Sequence, residues 1–303
     1  MPSPASIRIR QTLHKEAAPS ALPIAEQRAA WLEFARTQPL PASVQAIEQT
    51  VAGVACLRIL PTKAVSDALV VYLHGGGLVD GDPITHRAFA AQVAMATGYP
   101  ILLVGYRLAP EHPFPAAIDD IMTVLQALLP EPAGPSLQRI ALGGDSSGAG
   151  LALTAAQRRR DEGLRAPACL FSISGVFDLT LSAPSMTECA AVDPCLTVDA
   201  LKGWLPLLGP APDLRHPWLS PLFGEFHDLP PCLFQVGEHE IWRDDSTRAA
   251  ARHSEAGNNT TLRVWDSMWH VWPMYPELPE AGEAIEELAA FLEPHLRIEP
   301  LET

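Results

Sequence analysis

Ser146 is the residue of this chain whose surroundings most strongly indicate chemistry. It lies in Gly144-Asp-Ser-Ser-Gly148, between a short apolar run and a segment of strong helix formers. A Gly-x-Ser-x-Gly sequence between a strand and a helix is typical of a nucleophile elbow, a strained turn that lifts the serine hydroxyl above a sheet. Glycines flank the serine because a Cβ at either position would crowd the turn or its neighbours. The pattern predicts that Ser146 is a nucleophile.

A serine hydroxyl is a weak nucleophile at neutral pH, so it needs a general base and an acid that orients the base. Of the ten histidines, His239 and His270 follow Ser146 and also lie just after a predicted core strand. Only His270 leaves room for an acid before it in the chain order serine, acid, histidine. We therefore predict His270 as the base, against the alternative of a buried structural histidine among tryptophans.

The acid is expected in the loop Gly237–Asp245, which follows a predicted strand. Two of its carboxylates begin the next helix, where the helix dipole alone favours acidic residues. Glu240 is the best placed, and four alternatives stay open: Glu238, Asp244, Asp245 and, after an earlier strand, Asp178.

Donors for a developing oxyanion are predicted in His74-Gly75-Gly76-Gly77, directly after the apolar run Ala68–Leu73. Consecutive glycines let backbone N–H groups turn toward one point and let a substrate approach closely. The N–H of the residue after the nucleophile, here Ser147, completes such a site. A phosphate-binding role is disfavoured because no Gly-Lys-Ser/Thr follows. His74 is predicted to brace the loop and not to act as the base.

Strands alternate with helices along the chain, which predicts an α/β fold with a mostly parallel sheet and helices on both faces. Helices before about Pro39 precede the first predicted strand, and the stretch from Asp178 to about Pro217 has no clear core strand. Such long irregular stretches often form a lid or a binding element. We predict an N-terminal cap segment over residues 1–45 and a catalytic domain over 46–303, with a cap insertion at about 178–217. The predicted strands are Val54–Leu60, Ala68–Leu73, Ile101–Val104, the run before Ser146, Ala168–Ile173, Cys232–Val236 and Thr261–Trp265.

Composition excludes several classes of protein. The 303 residues carry a net charge of -14, which argues against a nucleic-acid partner, since a phosphate backbone needs a basic surface. No apolar run approaches a membrane span, and the N-terminus lacks the apolar core of a secretory signal, so we expect a soluble, cytoplasmic protein. The five cysteines lack zinc-ligand spacing, and we expect no disulfide, metal or cofactor.

Together these motifs resemble the hormone-sensitive lipase family of α/β-hydrolases, in its bacterial esterase branch. The resemblance covers most of the chain from about His74 to Trp272, with its motifs in the family order. It rests on His74-Gly-Gly-Gly77, Tyr106-Arg-Leu-Ala-Pro-Glu-His-Pro-Phe-Pro-Ala116 with Asp119-Asp120, Gly144-Asp-Ser-Ser-Gly148, the loop Gly237–Asp245 and Met268-Trp-His270.

The resemblance implies a catalytic set of Ser146, Glu240 and His270. It also implies an oxyanion hole formed by Gly76, Gly77 and Ser147, and it makes Glu111 and Asp119-Asp120 braces of the catalytic loops. Two residues depart from the family pattern: Glu240 stands where Asp is more common, and Ser147 stands where Ala is usual. Members of the family often form homodimers.

We therefore expect a serine carboxylesterase that acts on short- to medium-chain acyl esters as small-molecule substrates. One alternative keeps the same residues but hydrolyses a lactone or an acyl amide. Another is a non-catalytic receptor on the same fold, as in the plant gibberellin receptors that resemble this family but lack the base histidine. Tryptophans near His270 and in the insertion, namely Trp204, Trp269 and Trp272, favour bulky substrates or belong to the core.

Overall fold

The computed structural model describes residues 2–16, 23–64, 68–130, 139–210 and 212–297. Within these ranges the strands are β1 (Val44–Val51), β2 (Val54–Pro61), β3 (Ala68–Leu73), β4 (Ile101–Val104), β5 (Arg139–Asp145), β6 (Cys169–Ile173), β7 (Cys232–Gly237) and β8 (Thr260–Trp265). The helices are α1 (Pro4–Glu16), α2 (Ile24–Thr37), α3 (Arg87–Thr97), α4 (Ala116–Leu128), α5 (Ser147–Asp161), α6 (Ser185–Glu188), α7 (Val198–Trp204), α8 (Arg243–Glu255) and α9 (Pro279–Leu296).

The strands form one sheet in the order β1-β2-β4-β3-β5-β6-β7-β8. The pairs from β4 to β8 are parallel, whereas β1 pairs with β2, and β2 with β4, in antiparallel register. The prediction of a mostly parallel α/β sheet is confirmed. Strands β2 and β3, consecutive in the chain, are separated in the sheet by β4, because the β3–α3–β4 crossover inserts β4 between them.

Helices cover both faces, as predicted. Strand β3 shows why: its six residues are all buried, and alternate side chains enter two different cores. Leu69, Val71 and Leu73 pack in the core that α4, α5 and α8 complete. Val70 and Tyr72 point to the opposite face, where α3 and α9 supply the apolar partners. A continuously apolar strand is what a sheet buried on both faces requires.

The first elements differ from the prediction. Strand β1 was missed because half of its eight residues are polar and most are exposed, so the sequence shows neither a regular alternation nor an apolar run. The sequence from Gln11 to about Pro39 predicts one or two helices with breaks near Pro19 and Pro23. Helix α1 instead begins at Pro4, and Pro19 falls in residues 17–22, outside the described ranges. The sequence also predicts a turn at Pro61–Asp67, which is described only to residue 64.

In its described residues, 178–210 and 212–217, the predicted insertion contains short helices and no strand. Between β6 and β7 the chain forms α6, α7 and two 3-10 turns at Leu205–Leu208 and Pro221–Phe223. None of the helices in the described ranges has the length and apolar character needed to cross a membrane.

Candidate active site

Ser146 occupies the sharp turn between β5 and α5. Its backbone has φ 52° and ψ -125°, a strained conformation for a residue with a side chain, and its N–H donates to the Ile173 carbonyl at 2.9 Å. A Cβ added at Gly144 or at Gly148 would lie 2.0 Å from the carbonyl oxygen of Leu73, the last residue of β3. The close approach predicted for these two glycines is confirmed, and it presents the Ser146 side chain at the carboxyl edge of the sheet.

His270 lies between Ser146 and Glu240. Its Nε2 is 3.0 Å from the Ser146 Oγ, and its Nδ1 is 2.8 Å from the Glu240 Oε2. Glu240 is fully buried, and His270 is 8% exposed. Three side chains from three loops, separated by up to 124 positions in sequence, thus form one continuous hydrogen-bonded line. A serine, a base and an orienting carboxylate in this order are what nucleophilic catalysis by a hydroxyl requires.

The second oxygen of Glu240 is held from two sides. Its Oε1 accepts the N–H of Gly237 and, at 2.9 Å, the hydroxyl of Ser174. The same Ser174 hydroxyl accepts the N–H of Val271 at 3.0 Å, next to His270. Ser174 therefore connects Glu240 to the backbone next to His270. Sequence reasoning missed it, although its place directly after β6 at the carboxyl edge of the sheet was a usable sign.

The alternative carboxylates have other partners. Asp245 accepts the N–H groups of Phe177 and Asp178, each at 2.7 Å. Asp244 accepts the Ser185 N–H at 2.9 Å. The remaining two contacts are Glu238 with the Ser267 N–H and Asp178 with Arg248, each at 3.0 Å. Of the acids considered, Glu240 is the one that meets the His270 ring.

The surroundings of His270 favour its protonated form. Burial by itself lowers the pKa of an imidazole, but the hydrogen bond and the charge of Glu240 oppose it. The charges of Asp193 and Asp145 add to the effect, and the net result is a raised pKa for His270. An imidazole of this kind is a stronger base toward a serine hydroxyl and holds the proton that it takes.

The glycine loop after β3 lies beside the elbow. Gly76 and Gly77 have φ values of 116° and 63°, in the left-handed region that favours glycine. A Cβ on Gly76 would be 2.1 Å from the Asp80 carbonyl oxygen, so no other residue fits there. The amide of Gly75 donates to the Asp145 Oδ1 at 3.0 Å and is occupied. The Gly75 amide is thus used inside the protein, and the amides predicted as oxyanion donors are those of the next two residues, Gly76 and Gly77.

Asp145, the residue before Ser146, organises a buried polar cluster next to this loop. Its Oδ1 also accepts the Tyr72 hydroxyl at 2.7 Å and lies 3.4 Å from the His86 Nε2. Burial raises the pKa of a carboxyl, but the charge of His86 and the hydrogen bonds from His86 and Tyr72 prevail, so the pKa of Asp145 is lowered. Neither Asp145 nor His86 was singled out from the sequence. The Asp in the elbow motif was the available sign.

His74 fits the bracing role predicted for it. Its ring stacks on Tyr106 with centroids 4.2 Å apart, and the Tyr106 hydroxyl donates to the His74 carbonyl at 2.6 Å. Burial, with the nearby charge of His86, lowers the pKa of His74 to about 3, which keeps the ring neutral. The Nδ1 of His74 lies 2.8 Å from the Gly75 carbonyl oxygen, so the ring supports the loop from within the core.

Of the three predicted braces, Glu111 and Asp120 contact segments next to the catalytic loops, whereas Asp119 pairs with Arg158 of α5 at 3.2 Å. Glu111 pairs with Arg28 of α2 at 3.0 Å, and Arg28 donates to the Val79 carbonyl at 2.7 Å, just after the glycines. Asp120 accepts two N–H groups of the Arg107 side chain together with its backbone N–H. These contacts hold the connector after β4 to α4 and to the N-terminal helices.

A cavity of about 690 Å³ opens at Ser146 and His270. Its wall is mainly apolar and comes from α2, from the insertion and from the segment after His270; examples are Trp31, Phe34, Leu179, Leu201, Trp204, Leu205 and Met274. Trp269 and Trp272 are fully buried in the core, which answers the question that the sequence left open for them. Among the described residues no group of three or more His, Cys, Asp or Glu side chains is arranged to hold a metal ion.

Comparison with known proteins agrees with this fold. The family whose profile matches residues 70–274 is described as having the alpha/beta hydrolase fold. A crystal structure of an esterase from the bacterial hormone-sensitive lipase family superposes with a TM-score of 0.92 at 34% sequence identity, covering 98% of this chain and 100% of that one. The chain therefore belongs to the α/β-hydrolases, in the bacterial hormone-sensitive lipase family.

Curated relatives carry esterase names. An acetyl-hydrolase of Streptomyces hygroscopicus is 39% identical over 202 residues, which cover 67% of each chain. An esterase of Acinetobacter venetianus is 34% identical over 264 residues, which cover 86% of this chain and 84% of that protein.

Proposed function

We propose that this protein is a serine carboxylesterase that hydrolyses short- to medium-chain acyl esters through an acyl-enzyme on Ser146. Carboxylic ester hydrolysis is the reaction class of its family relatives. The observation that carries the proposal is the 3.0 Å contact between the Ser146 Oγ and the His270 Nε2, with Glu240 on the other side of the ring.

In the first half-reaction, Ser146 Oγ attacks the ester carbonyl carbon while His270 Nε2 takes the hydroxyl proton. Glu240 stabilises the imidazolium that forms. The oxyanion of the tetrahedral intermediate accepts hydrogen bonds from the amides of Gly76, Gly77 and Ser147. When the intermediate collapses, His270 returns the proton to the leaving alcohol, and the acyl group stays on Ser146.

In the second half-reaction, water takes the place of the alcohol. His270 removes a proton from the water as it attacks the acyl carbonyl, and the same amides hold the second oxyanion. Collapse releases the carboxylic acid, and His270 returns the proton to the Ser146 oxygen. The sequence of proton transfers leaves the enzyme unchanged.

The apolar cavity supports an acyl ester as the substrate. A volume of about 690 Å³ lies within the range of small-molecule sites and exceeds what an acetyl group needs. We assign the N-terminal segment 1–45 and the insertion at 178–217 as a cap over the catalytic domain, since Trp31, Phe34 and Trp204 from these two segments line the cavity.

An acyl-chain series tests the substrate class. Initial rates with p-nitrophenyl acetate through palmitate, and with matched lactones and p-nitroanilides, should give the highest kcat/KM for an ester of at most medium chain length. A higher value for the lactones or the anilides would replace the ester proposal by the first alternative. No hydrolysis together with no labelling by an organophosphate would favour the binding-protein alternative.

A cytoplasmic location and a homodimer are further parts of the proposal. The sequence supports the first and the family resemblance the second. Cell fractionation and size-exclusion chromatography with light scattering test them; recovery in the periplasm or the medium, or a monomer mass near 32.7 kDa, would contradict them.

A further inference from the structure

The loop that carries Glu240 is held by a second carboxylate, which comes from the insertion. Asp193 lies between α6 and α7 and is 6% exposed. Its Oδ2 accepts the N–H of Ile241 at 2.9 Å, one residue after Glu240. Ile241 is itself fully buried, so this hydrogen bond fixes the backbone of the loop next to Glu240.

The other oxygen of Asp193 shapes the cavity wall. Its Oδ1 accepts the N–H groups of Cys195 at 2.8 Å and of Leu196 at 3.0 Å. Both residues line the cavity, and the Cys195 thiol lies 4.0 Å from the His270 carbonyl oxygen. One carboxylate thus joins the acid loop to the part of the insertion that faces the base.

Arg10 of α1 contacts the backbone next to Asp193 and the side chain next to Glu240. Its guanidinium donates to the Val192 carbonyl at 2.5 Å and to the Ser267 carbonyl at 3.4 Å, and it lies 2.6 Å from the His239 Nδ1. The Arg10 guanidinium therefore contacts the residues that precede Asp193 and Glu240, and it also contacts Ser267, three residues before His270. The charges of Arg10 and Asp193 interact favourably.

We propose that Asp193 is a positioning residue that holds Glu240 in register with His270 and adds negative charge beside the base. The proposal rests on the catalytic roles assigned above. With this role for Asp193, the insertion contributes to catalysis as well as to covering the substrate. Arg10 is the counter-charge of Asp193, and it connects α1 to the segments that carry Asp193 and Glu240.

The charge of Asp193 acts on His270 in a direction that can be measured. The acidic groups that act on His270 are Glu240 from the β7–α8 loop, Asp145 from the end of β5, and Asp193. Each stabilises the imidazolium and so raises the pKa of His270. Removing the charge of Asp193 moves the acid limb of the kcat/KM profile to lower pH, whereas removing Arg10 leaves that charge uncompensated and moves the limb to higher pH.

The experiment compares the wild type, Asp193→Asn, Asp193→Glu and Arg10→Gln with p-nitrophenyl butyrate from pH 5 to 9. Asp199→Asn is the matched control, since its side chain is 93% exposed on α7 and contacts only Lys202, at 3.7 Å, among the ion pairs of the described residues. Asp193→Asn should lower kcat about tenfold or more, because a small misplacement of the acid is costly, with little change in KM. Asp193→Glu should keep the wild-type acid limb.

Active-site labelling with an organophosphate separates the ways in which this test can fail. If the wild type is neither labelled nor active, the proposed function itself is wrong. If the wild type is active and Asp193→Asn keeps the wild-type kcat and acid limb, the role of Asp193 is wrong. If Asp193→Asn does not fold, the Arg10→Gln profile decides: an upward shift of the limb supports the role, and an unshifted limb contradicts it.

Discussion

Asp145 Oδ1 accepts the Gly75 N–H at 3.0 Å, so the residue before Ser146 holds the first glycine of the loop His74–Gly77. Strands β3 and β5 are neighbours, and this hydrogen bond joins the loops that follow them. One buried carboxylate consequently joins the turn at Ser146 to the glycine loop that contains the proposed oxyanion donors. We therefore expect substitutions in the loop after β3, as well as at the groups around Ser146, to change the rate of ester hydrolysis.

Gly76→Ala is expected to lower kcat by about 10²–10³, the cost of losing an oxyanion donor. The added Cβ would meet the Asp80 carbonyl oxygen at 2.1 Å and push the Gly76 and Gly77 amides away from the substrate. Steady-state kinetics with p-nitrophenyl butyrate measure the effect. Gly203→Ala is the control: its Cβ enters open space on α7, and we expect unchanged kcat. Equal activities of the two variants would contradict the placement of the donors.

Glu240→Gln is expected to lower kcat by about 10⁴, since a neutral amide neither fixes the required tautomer of His270 nor stabilises its charged form. Asp244→Asn removes a neighbouring carboxylate that contacts Ser185 and Arg243, and we expect kcat close to that of the wild type. Kinetics at saturating substrate make the comparison. A large loss of kcat in Asp244→Asn with a small loss in Glu240→Gln would assign the orientation of His270 to Asp244 instead.

The pH dependence of kcat/KM should show an acid limb with a midpoint above 6.5. The base must be neutral to take the serine proton, and Glu240, Asp193 and Asp145 raise the pKa of His270 above that ordinary value. Activity is then present at higher pH and is lost as pH falls through the raised pKa. Initial rates at low substrate concentration give the midpoint. A value below 6.5 would mean that burial outweighs the carboxylates.

Much of this site was predictable because catalytic chemistry constrains residue type and spacing. Ser146 and the glycines beside it announce a strained turn, and His270 was the histidine that left an acid before it. The choice of Glu240 among neighbouring carboxylates depended on resemblance to a family as well as on position. In the structure Glu240 contacts His270, whereas Asp244 and Asp245, in the first turn of α8, accept backbone N–H groups at and near the insertion.

The supporting contacts were not predictable in the same way. Asp193 contacts Ile241, 48 positions away in the chain, and Ser174 contacts Val271, 97 positions away. His86 contacts Asp145, which follows a different strand. No local sequence pattern marks these three residues. Strand β1 was missed for a different reason, because an exposed antiparallel edge carries no apolar periodicity. Sequence reasoning therefore found the groups proposed to react and some of their supports, such as His74, but it missed Ser174, His86 and Asp193.

Asp245 should make the stability of the protein depend on pH. Burial raises its pKa from 3.8 to about 8, against the opposing hydrogen bonds from Phe177 and Asp178. Between these values the unfolded chain releases a proton that the folded protein retains, so Asp245 destabilises the fold progressively as pH rises. Asp245→Asn keeps an acceptor for the N–H groups of Phe177 and Asp178 and removes this pH-dependent destabilisation.

The gain in Tm of Asp245→Asn over the wild type should therefore grow as pH rises from about 4 to 8. Thermal melts followed by circular dichroism across this range measure the difference. Asp244→Asn, at the adjacent position, should show no comparable growth. A difference between Asp245→Asn and the wild type that does not change with pH would show that Asp245 is ionised in the folded protein.

The most direct test of the central claim is reaction with an organophosphate, read by intact and peptide mass spectrometry. We predict one covalent adduct on the wild type, located on Ser146, together with loss of p-nitrophenyl butyrate hydrolysis. Ser146→Ala should take up no adduct and show no hydrolysis above background. An adduct on another residue, or hydrolysis by Ser146→Ala at the wild-type rate, would contradict the assignment of Ser146 as the nucleophile.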